Sequence, residues 1–317
     1  MAKEPSIQGK IARSMIASIA SNKLAGSKMK IGKKLKNKSI FKLYYPPIYK
    51  SETIEKAQFT METLRKREVT VKCAILYLHG GGYVGKLKNK HRLMALKYCE
   101  SIPDVMVLMP DYRTAPEHPY PAALEDALDA YSWLLEQGYN EDQIVIAGDS
   151  AGGGLALAVC LYLKHLKRKL PCAIVAMSPW TDMTASGASY HFNYENDPLF
   201  GNTKESLLYN RDYLGRASKF TPYVSPLFGD YSDFPPILIQ VGSDEMLLSD
   251  SVRVAEKAQK DGAIVWLHIY EGMFHDFQMA GDLIPESKEA WKEVTQFLLD
   301  VKEQDSILVK RSPTLIK

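Results

Sequence analysis

Two short segments hold residue types able to do acyl-transfer chemistry: His79-Gly80-Gly81-Gly82 and Gly148-Asp149-Ser150-Ala151-Gly152. The second has the G-x-S-x-G pattern, a strand-to-helix turn so tight that small residues must flank the serine it holds out for attack. The first is a glycine run whose bare backbone can turn N–H groups toward a developing oxyanion. Alone, either is an ordinary Gly-rich turn of an α/β domain. In this order, and about seventy residues apart, they describe one site.

A serine nucleophile needs a base, and the base needs an orienting carboxylate. The chain has seven histidines, few enough to sort by context. His79 belongs to the glycine run and is expected to hold that loop. His91 and His165 fall in polar, helix-like stretches and read as solvated. His118 lies among prolines upstream of the nucleophile, His191 in a lid segment, and His268 inside a strand pattern. His275 remains, in the loop Glu271-Gly272-Met273-Phe274-His275 directly after that strand. Catalytic groups of open α/β sheets gather at such carboxyl ends of strands, so His275 is the expected base. The acid belongs between Ser150 and His275, also just past a strand. Asp244 is the first carboxylate after Pro236-Ile237-Leu238-Ile239-Gln240-Val241 and is the expected acid; its neighbour Glu245 is the rival, and Asp250 lies too far along.

The elements that must position these residues are legible as apolar runs. Ile144-Val145-Ile146-Ala147 before Ser150 suits a buried parallel strand, and Leu155-Ala156-Leu157-Ala158-Val159 after it suits a helix packed on the sheet. That helix puts the Ala151 N–H at an N-terminus, where partial positive charge favours an anion. Strand-like runs at 71–78, 104–109, 143–147, 172–178, 236–241 and 263–270 alternate with helical stretches at 88–101, 121–138, 151–168, 249–262 and 285–303. The alternation predicts an α/β fold with a mostly parallel, doubly wound sheet. Thr53 to Arg67 is expected to add antiparallel edge strands. Residues 183–232 break the alternation and read as a lid insertion, with Phe192, Leu199, Phe200, Leu207 and Tyr213 as candidates for its inner face. The expected division is therefore a basic N-terminal segment over 1–45, a core over 46–182 and 233–317, and the lid over 183–232.

The chain resembles the hormone-sensitive-lipase-like family of α/β-hydrolase carboxylesterases over roughly residues 70 to 300. The resemblance rests on His79-Gly80-Gly81-Gly82-Tyr83, on Asp111-Tyr112-Arg113-Thr114-Ala115-Pro116-Glu117-His118-Pro119, on Gly148-Asp149-Ser150-Ala151-Gly152-Gly153, and on His275-Asp276-Phe277. It implies oxyanion donors at the N–H groups of Gly81, Gly82 and Ala151, and a lid segment bordering the acyl pocket at Asp197-Pro198-Leu199. Tyr83, Asp149, Leu199, Phe200 and Phe274 are the candidate pocket residues. Many relatives have aspartate-proline-leucine at the acid, whereas Asp244 is followed here by Glu245-Met246, which keeps both acids open; many also carry asparagine where this chain has Gly154. The acid variant is more like the subgroup of acetyl esterases and monoterpene lactone hydrolases. No cofactor and no metal are expected: neither a phosphate loop nor a dinucleotide fingerprint is convincing.

The strongest charge asymmetry is N-terminal. Residues 1–42 contain eleven Lys or Arg and one acid, Glu4, in a chain whose net charge is only +3. Ile11, Met15, Ile16, Ile19 and Leu24 fall near helical spacing, predicting a basic amphipathic helix. It is expected to be a second piece of the lid, with a membrane-surface contact as the alternative. Nucleic acid is not an expected partner, because the rest of the chain is acidic and carries no recognition motif. Pairing of two copies through an edge strand is left open. No apolar run approaches the ~18 residues of a span, and Arg13 interrupts the only candidate signal-peptide core. Cys73, Cys99, Cys160 and Cys172 show no metal spacing, so a cytoplasmic protein is expected.

The expected function is hydrolysis of small, partly soluble esters with short acyl chains. Lactone hydrolysis or removal of acetyl groups from sugars would use the same machinery. A noncatalytic ligand-binding protein or a membrane-surface protein on the same fold is the alternative of a different class.

Overall fold

The computed structural model describes residues 4–21, 43–202, 206, 208 and 211–303. At its centre is an eight-stranded sheet in the order β1-β2-β4-β3-β5-β6-β7-β8. The strands are β1 (Tyr49–Glu55), β2 (Thr60–Lys66), β3 (Cys73–Leu78), β4 (Val105–Asp111), β5 (Ile144–Asp149), β6 (Ala173–Met177), β7 (Ile237–Gly242) and β8 (Val265–Tyr270). From β4 to β8 all neighbours are parallel. β1 pairs antiparallel with β2 and β2 antiparallel with β4, the edge addition expected around Thr53 to Arg67.

Helices α2 (Asn89–Ser101), α3 (Ala122–Glu136), α4 (Ala151–His165), α6 (Leu248–Lys260) and α7 (Pro285–Lys302) lie where the apolar periodicity placed them. They cover both faces of the sheet, so its inner strands are apolar along their whole length instead of alternating. On β3, Ala74, Leu76 and Leu78 face a core shared with α3 and α4, while Ile75 and Tyr77 face a core shared with α2 and α7. β1 is polar and half-exposed, as an outermost strand must be to avoid pairing with another chain.

Two segments lie outside this α/β frame. Residues 183–232 hold a short helix, α5 (Ser189–Phe192), a 3₁₀ turn at Pro226–Phe228 and, among the described residues, no strand. Helix α1 (Ile7–Ser21) packs beside the loop that carries His275. Ala12 and Ile16 join a small cluster of Met273, Phe274, Phe277, Ile284 and Ala290. At the foot of α1, the N–H and Oγ of Ser6 donate to Glu286 at 2.5 and 2.8 Å. The expected apolar stripe is split: Ile16 turns inward, but Ile11, Met15 and Ile19, with Ile7, are exposed. Leu24 lies outside the described residues. Among the described residues, no helix is long and apolar enough to cross a membrane.

Candidate active site

Ser150 stands between the end of β5 and the start of α4 with φ 53° and ψ −121°, a conformation strained for any residue with a Cβ. The neighbouring strand fixes it there: Ser150 N–H donates to the Met177 carbonyl at 2.8 Å, and Trp180 N–H donates to the Ser150 carbonyl at 2.9 Å. The flanking glycines are required by contact. A Cβ on Gly148 would sit 2.3 Å from the Gly152 carbonyl oxygen, and one on Gly152 would sit 2.0 Å from that of Leu78.

His275 Nε2 is 2.8 Å from Ser150 Oγ, and its Nδ1 is 2.8 Å from Glu245 Oε2. Glu245 is fully buried. Its other oxygen, Oε1, accepts from Ser178 Oγ at 2.7 Å and from Gly242 N–H at 2.6 Å. Donors on both oxygens hold the carboxylate in one orientation.

The expectation of Asp244 as the acid is corrected by this arrangement. Its carboxylate points away from His275 and pairs with Arg13 of α1 at 3.0 Å, partly exposed. The physical reason is the turn after β7. The Glu245 N–H reaches back to the Gly242 carbonyl, and the Asp244 N–H donates to Met273. Successive side chains of that turn point to opposite sides, and the inward one is Glu245.

The glycine run is held by aromatic stacking. The His79 ring stacks on Tyr112 at 4.2 Å between centroids and on His91 at 5.0 Å. Tyr112 O–H donates to the His79 carbonyl at 2.6 Å, and the His79 ring donates from Nδ1 to the Gly80 carbonyl at 2.8 Å. Burial pushes the His79 imidazole down to about 3, so the ring is neutral. His91, read from sequence as solvated, is buried in this stack. The loop that carries the family resemblance is anchored next door: Arg113 clamps Asp126 of α3, and Asp111 accepts the Leu87 N–H. Gly81 and Gly82 have φ of 126° and 61°, a left-handed run that turns consecutive N–H groups to one side. Among the described residues, no carbonyl or side chain accepts from Gly81, Gly82 or Ala151 N–H.

The five candidate pocket residues divide. The Phe200 ring meets His275 edge-on at 4.8 Å, and Leu199 beside it is half-buried. Asp197 fixes both, accepting their N–H groups on Oδ1 and the Met246 N–H on Oδ2. Asn193 donates to the Ser243 and Glu245 carbonyls, so the 183–232 segment is fastened to the turn that carries Glu245. The other three lie elsewhere. Tyr83 is buried face to face with Tyr213 at 3.6 Å, Phe274 belongs to the cluster under α1, and Asp149 is fully buried behind the nucleophile, bonded to Tyr77 O–H at 2.5 Å. Of the proposed inner-face residues, Phe192 is 58% exposed and faces solvent, while Leu207 lies outside the described residues.

Asp276, quoted in the sequence only as part of a motif, comes within 3.4 Å of His275 Nε2. Burial alone would lower the imidazole pKa, but the charges of Asp276 and Glu245 raise it to about 9. Asp149 is raised to about 7, chiefly by burial and then by the charge of Asp276, and Asp276 is raised by burial as well.

The sequence matches the α/β-hydrolase fold family over residues 75–279. It is 37% identical over 232 residues to an esterase of Acinetobacter venetianus, covering 73% of this chain and 76% of that protein. It is likewise 37% identical over 224 residues to an acetyl-hydrolase of Streptomyces hygroscopicus, covering 71% and 74%. Among solved structures, EstE5 soaked with p-nitrophenyl butyrate superposes with a TM-score of 0.82 at 33% identity, over 93% of this chain and 99% of that one. An esterase from the bacterial hormone-sensitive lipase family superposes with a TM-score of 0.80 at 32% identity, over 94% and 98%. With more than half its length matched, the chain belongs to the α/β-hydrolase family, within its hormone-sensitive-lipase-like carboxylesterases.

Proposed function

We propose that this esterase cleaves short-chain carboxylic esters through an acyl-enzyme on Ser150, with His275 as base and Glu245 as orienting acid. Ser150 Oγ attacks the ester carbonyl while His275 Nε2 takes its proton, and Glu245 steadies the imidazolium through Nδ1. The N–H groups of Gly81, Gly82 and Ala151 receive the tetrahedral oxyanion. The imidazolium returns its proton to the departing alcohol, and water repeats the cycle on the acyl group. One observation carries this reading: the unbroken chain of two 2.8 Å contacts from Ser150 through His275 to Glu245.

A small acyl group is supported by Phe200, whose ring stands over the base, and by the acetyl-hydrolase among the relatives. Residues 183–232 and α1 together act as the lid in this reading. Arg13 donates to the Asn196 carbonyl at 2.8 Å while pairing with Asp244, tying helix, lid and acid turn at one point. A contact of α1 with a membrane surface is a second reading, favoured by its exposed row of Ile7, Ile11, Met15 and Ile19.

A fluorophosphonate probe tests the assignment. It labels the wild type and fails on Ser150→Ala. Labelling that survives in Ser150→Ala overturns it.

A further inference from the structure

Tyr83 directly follows Gly81 and Gly82, the glycines of the proposed oxyanion hole, and shares their backbone handedness. Its φ is 61°, after 126° at Gly81 and 61° at Gly82. Glycine takes such values freely, whereas a bulky aromatic residue keeps one only where its surroundings over-determine it. Three neighbours bear on Tyr83. Ala115 N–H donates to its carbonyl at 2.9 Å. The Trp180 ring lies beside the Tyr83 ring, 6.2 Å between centroids. The third neighbour comes from the covering segment: the Tyr213 ring lies flat on Tyr83, 3.6 Å between centroids with 4° between planes. Both tyrosines are sealed from solvent, 1% and 2% exposed. Tyr213 is fastened in turn, because Tyr120 N–H donates to its carbonyl at 2.7 Å and the Tyr120 ring meets it edge-on. Aromatic pairs left to themselves prefer an offset or edge-on arrangement, so this flat overlap is imposed by the backbone bonds under each ring.

We propose that Tyr213 is a positioning residue for the oxyanion hole: its ring pins Tyr83 in the left-handed conformation and so keeps the Gly82 N–H aimed at the developing charge. This rests on Gly81, Gly82 and Ala151 being the oxyanion donors. Tyr213 acts through Tyr83, not on the substrate. Once the opposing ring is gone, Tyr83 relaxes toward negative φ. That rotation swings the Gly82–Tyr83 peptide and takes the Gly82 N–H with it. A donor displaced but not removed costs part of the roughly 10²–10³-fold that its deletion costs, here about tenfold. Residues 183–232 therefore do more than cover the site. They help to assemble the donors beneath them.

An effect on the oxyanion appears in the transition state and spares ground-state binding, which separates positioning from a structural or pocket role. Tyr213→Leu keeps apolar volume and loses the flat face. It should lower kcat for p-nitrophenyl acetate about tenfold with KM within about twofold. It should weaken inhibition by a trifluoromethyl ketone, which forms a tetrahedral oxyanion on the serine, by the same factor. Tyr213→Phe keeps the ring and should stay within about twofold of the wild type in all three. A rise in KM at unchanged kcat, a fall in kcat without the matching loss of ketone affinity, or a Phe variant as slow as the Leu variant overturns the proposal. Should Tyr213→Leu fail to fold, two changes at the pinned residue decide. Glycine holds a positive φ without a clamp and leucine does not, so Tyr83→Gly should keep about tenfold more kcat than Tyr83→Leu; equal rates overturn the proposal. A wild type that the ketone does not inhibit would sink the oxyanion assignment itself. An inhibited wild type with an equally inhibited Tyr213→Leu would sink only the role of Tyr213.

Discussion

Glu245 and Asp244 are adjacent in sequence and opposite in fate. One is sealed against the imidazole with both oxygens bonded, and the other sits in a partly exposed ion pair with Arg13. Truncating an orienting acid leaves the base with the wrong tautomer or orientation, so Glu245→Ala should lower kcat by about 10³–10⁴-fold. Ion pairs near the surface contribute about 1 kcal/mol or less, so Asp244→Ala should keep kcat within about threefold. Steady-state hydrolysis of p-nitrophenyl acetate by the two variants measures the contrast, and the reverse ranking would return the acid to Asp244. The contact of Ser150 with His275 was legible because each residue sits alone in a motif or loop. The carboxylate that meets His275 was legible only as one of two neighbours, because the hydrogen bonds that turn Glu245 inward come from Ser178 and Gly242 and leave no mark in local sequence. The stacked ring of His91 was hidden similarly: polar neighbours on α2 say nothing of the face that meets His79.

At the scale of elements, the sheet and its covering helices followed from apolar runs because both faces of the inner strands are buried. The N-terminal helix did not follow so simply. Periodicity gives an amphipathic stripe but not which part of it finds the protein, and here the contact falls to Ala12 and Ile16. Ile11, Met15 and Ile19 are left outside. The inner contact is with the His275 loop, so undocking the helix should act on catalysis before it acts on the core. Ile16→Asp should reduce kcat/KM by about tenfold while shifting the urea midpoint by no more than about 1 kcal/mol of stability, because the cluster it enters is separate from the two main cores. Parallel kinetic and urea titrations check this. Equal loss of activity and global stability would make α1 an ordinary part of the core.

Across the whole molecule, buried acids shape the response to pH. Asp250 on α6 is fully buried and accepts the N–H groups of Thr181 and Asp182, each at 2.8 Å, tying the segment after β6 to that helix. Burial outweighs those donors and pushes its carboxyl up to about 8. A pKa raised by folding means that the folded state binds the extra proton. The associated stability is complete below the unfolded value of about 4 and is lost as pH rises toward about 8. Asp250→Asn keeps an oxygen for both N–H groups and removes the titration. Its melting temperature should therefore fall less steeply than the wild type's between about pH 5 and 8. Thermal melts across that range test the difference in slope, and parallel curves would show that Asp250 is ionised throughout. From sequence this residue was visible only as a carboxylate too distant to be the triad's acid, since its burial depends on elements sixty-eight and sixty-nine residues away.

The end of β6 touches Ser150, Glu245 and the residue after His275 at once. Met177 grips the nucleophile's amide, and the next residue, Ser178, braces the acid through its hydroxyl while receiving the amide of the residue after the histidine. A common brace of this kind makes alignment a collective property: no partner can drift while the others stay true. Evolution or an engineer wishing to retune this enzyme is therefore freer in the covering segment than at that one strand terminus, where a change of a single atom's position is broadcast to all three.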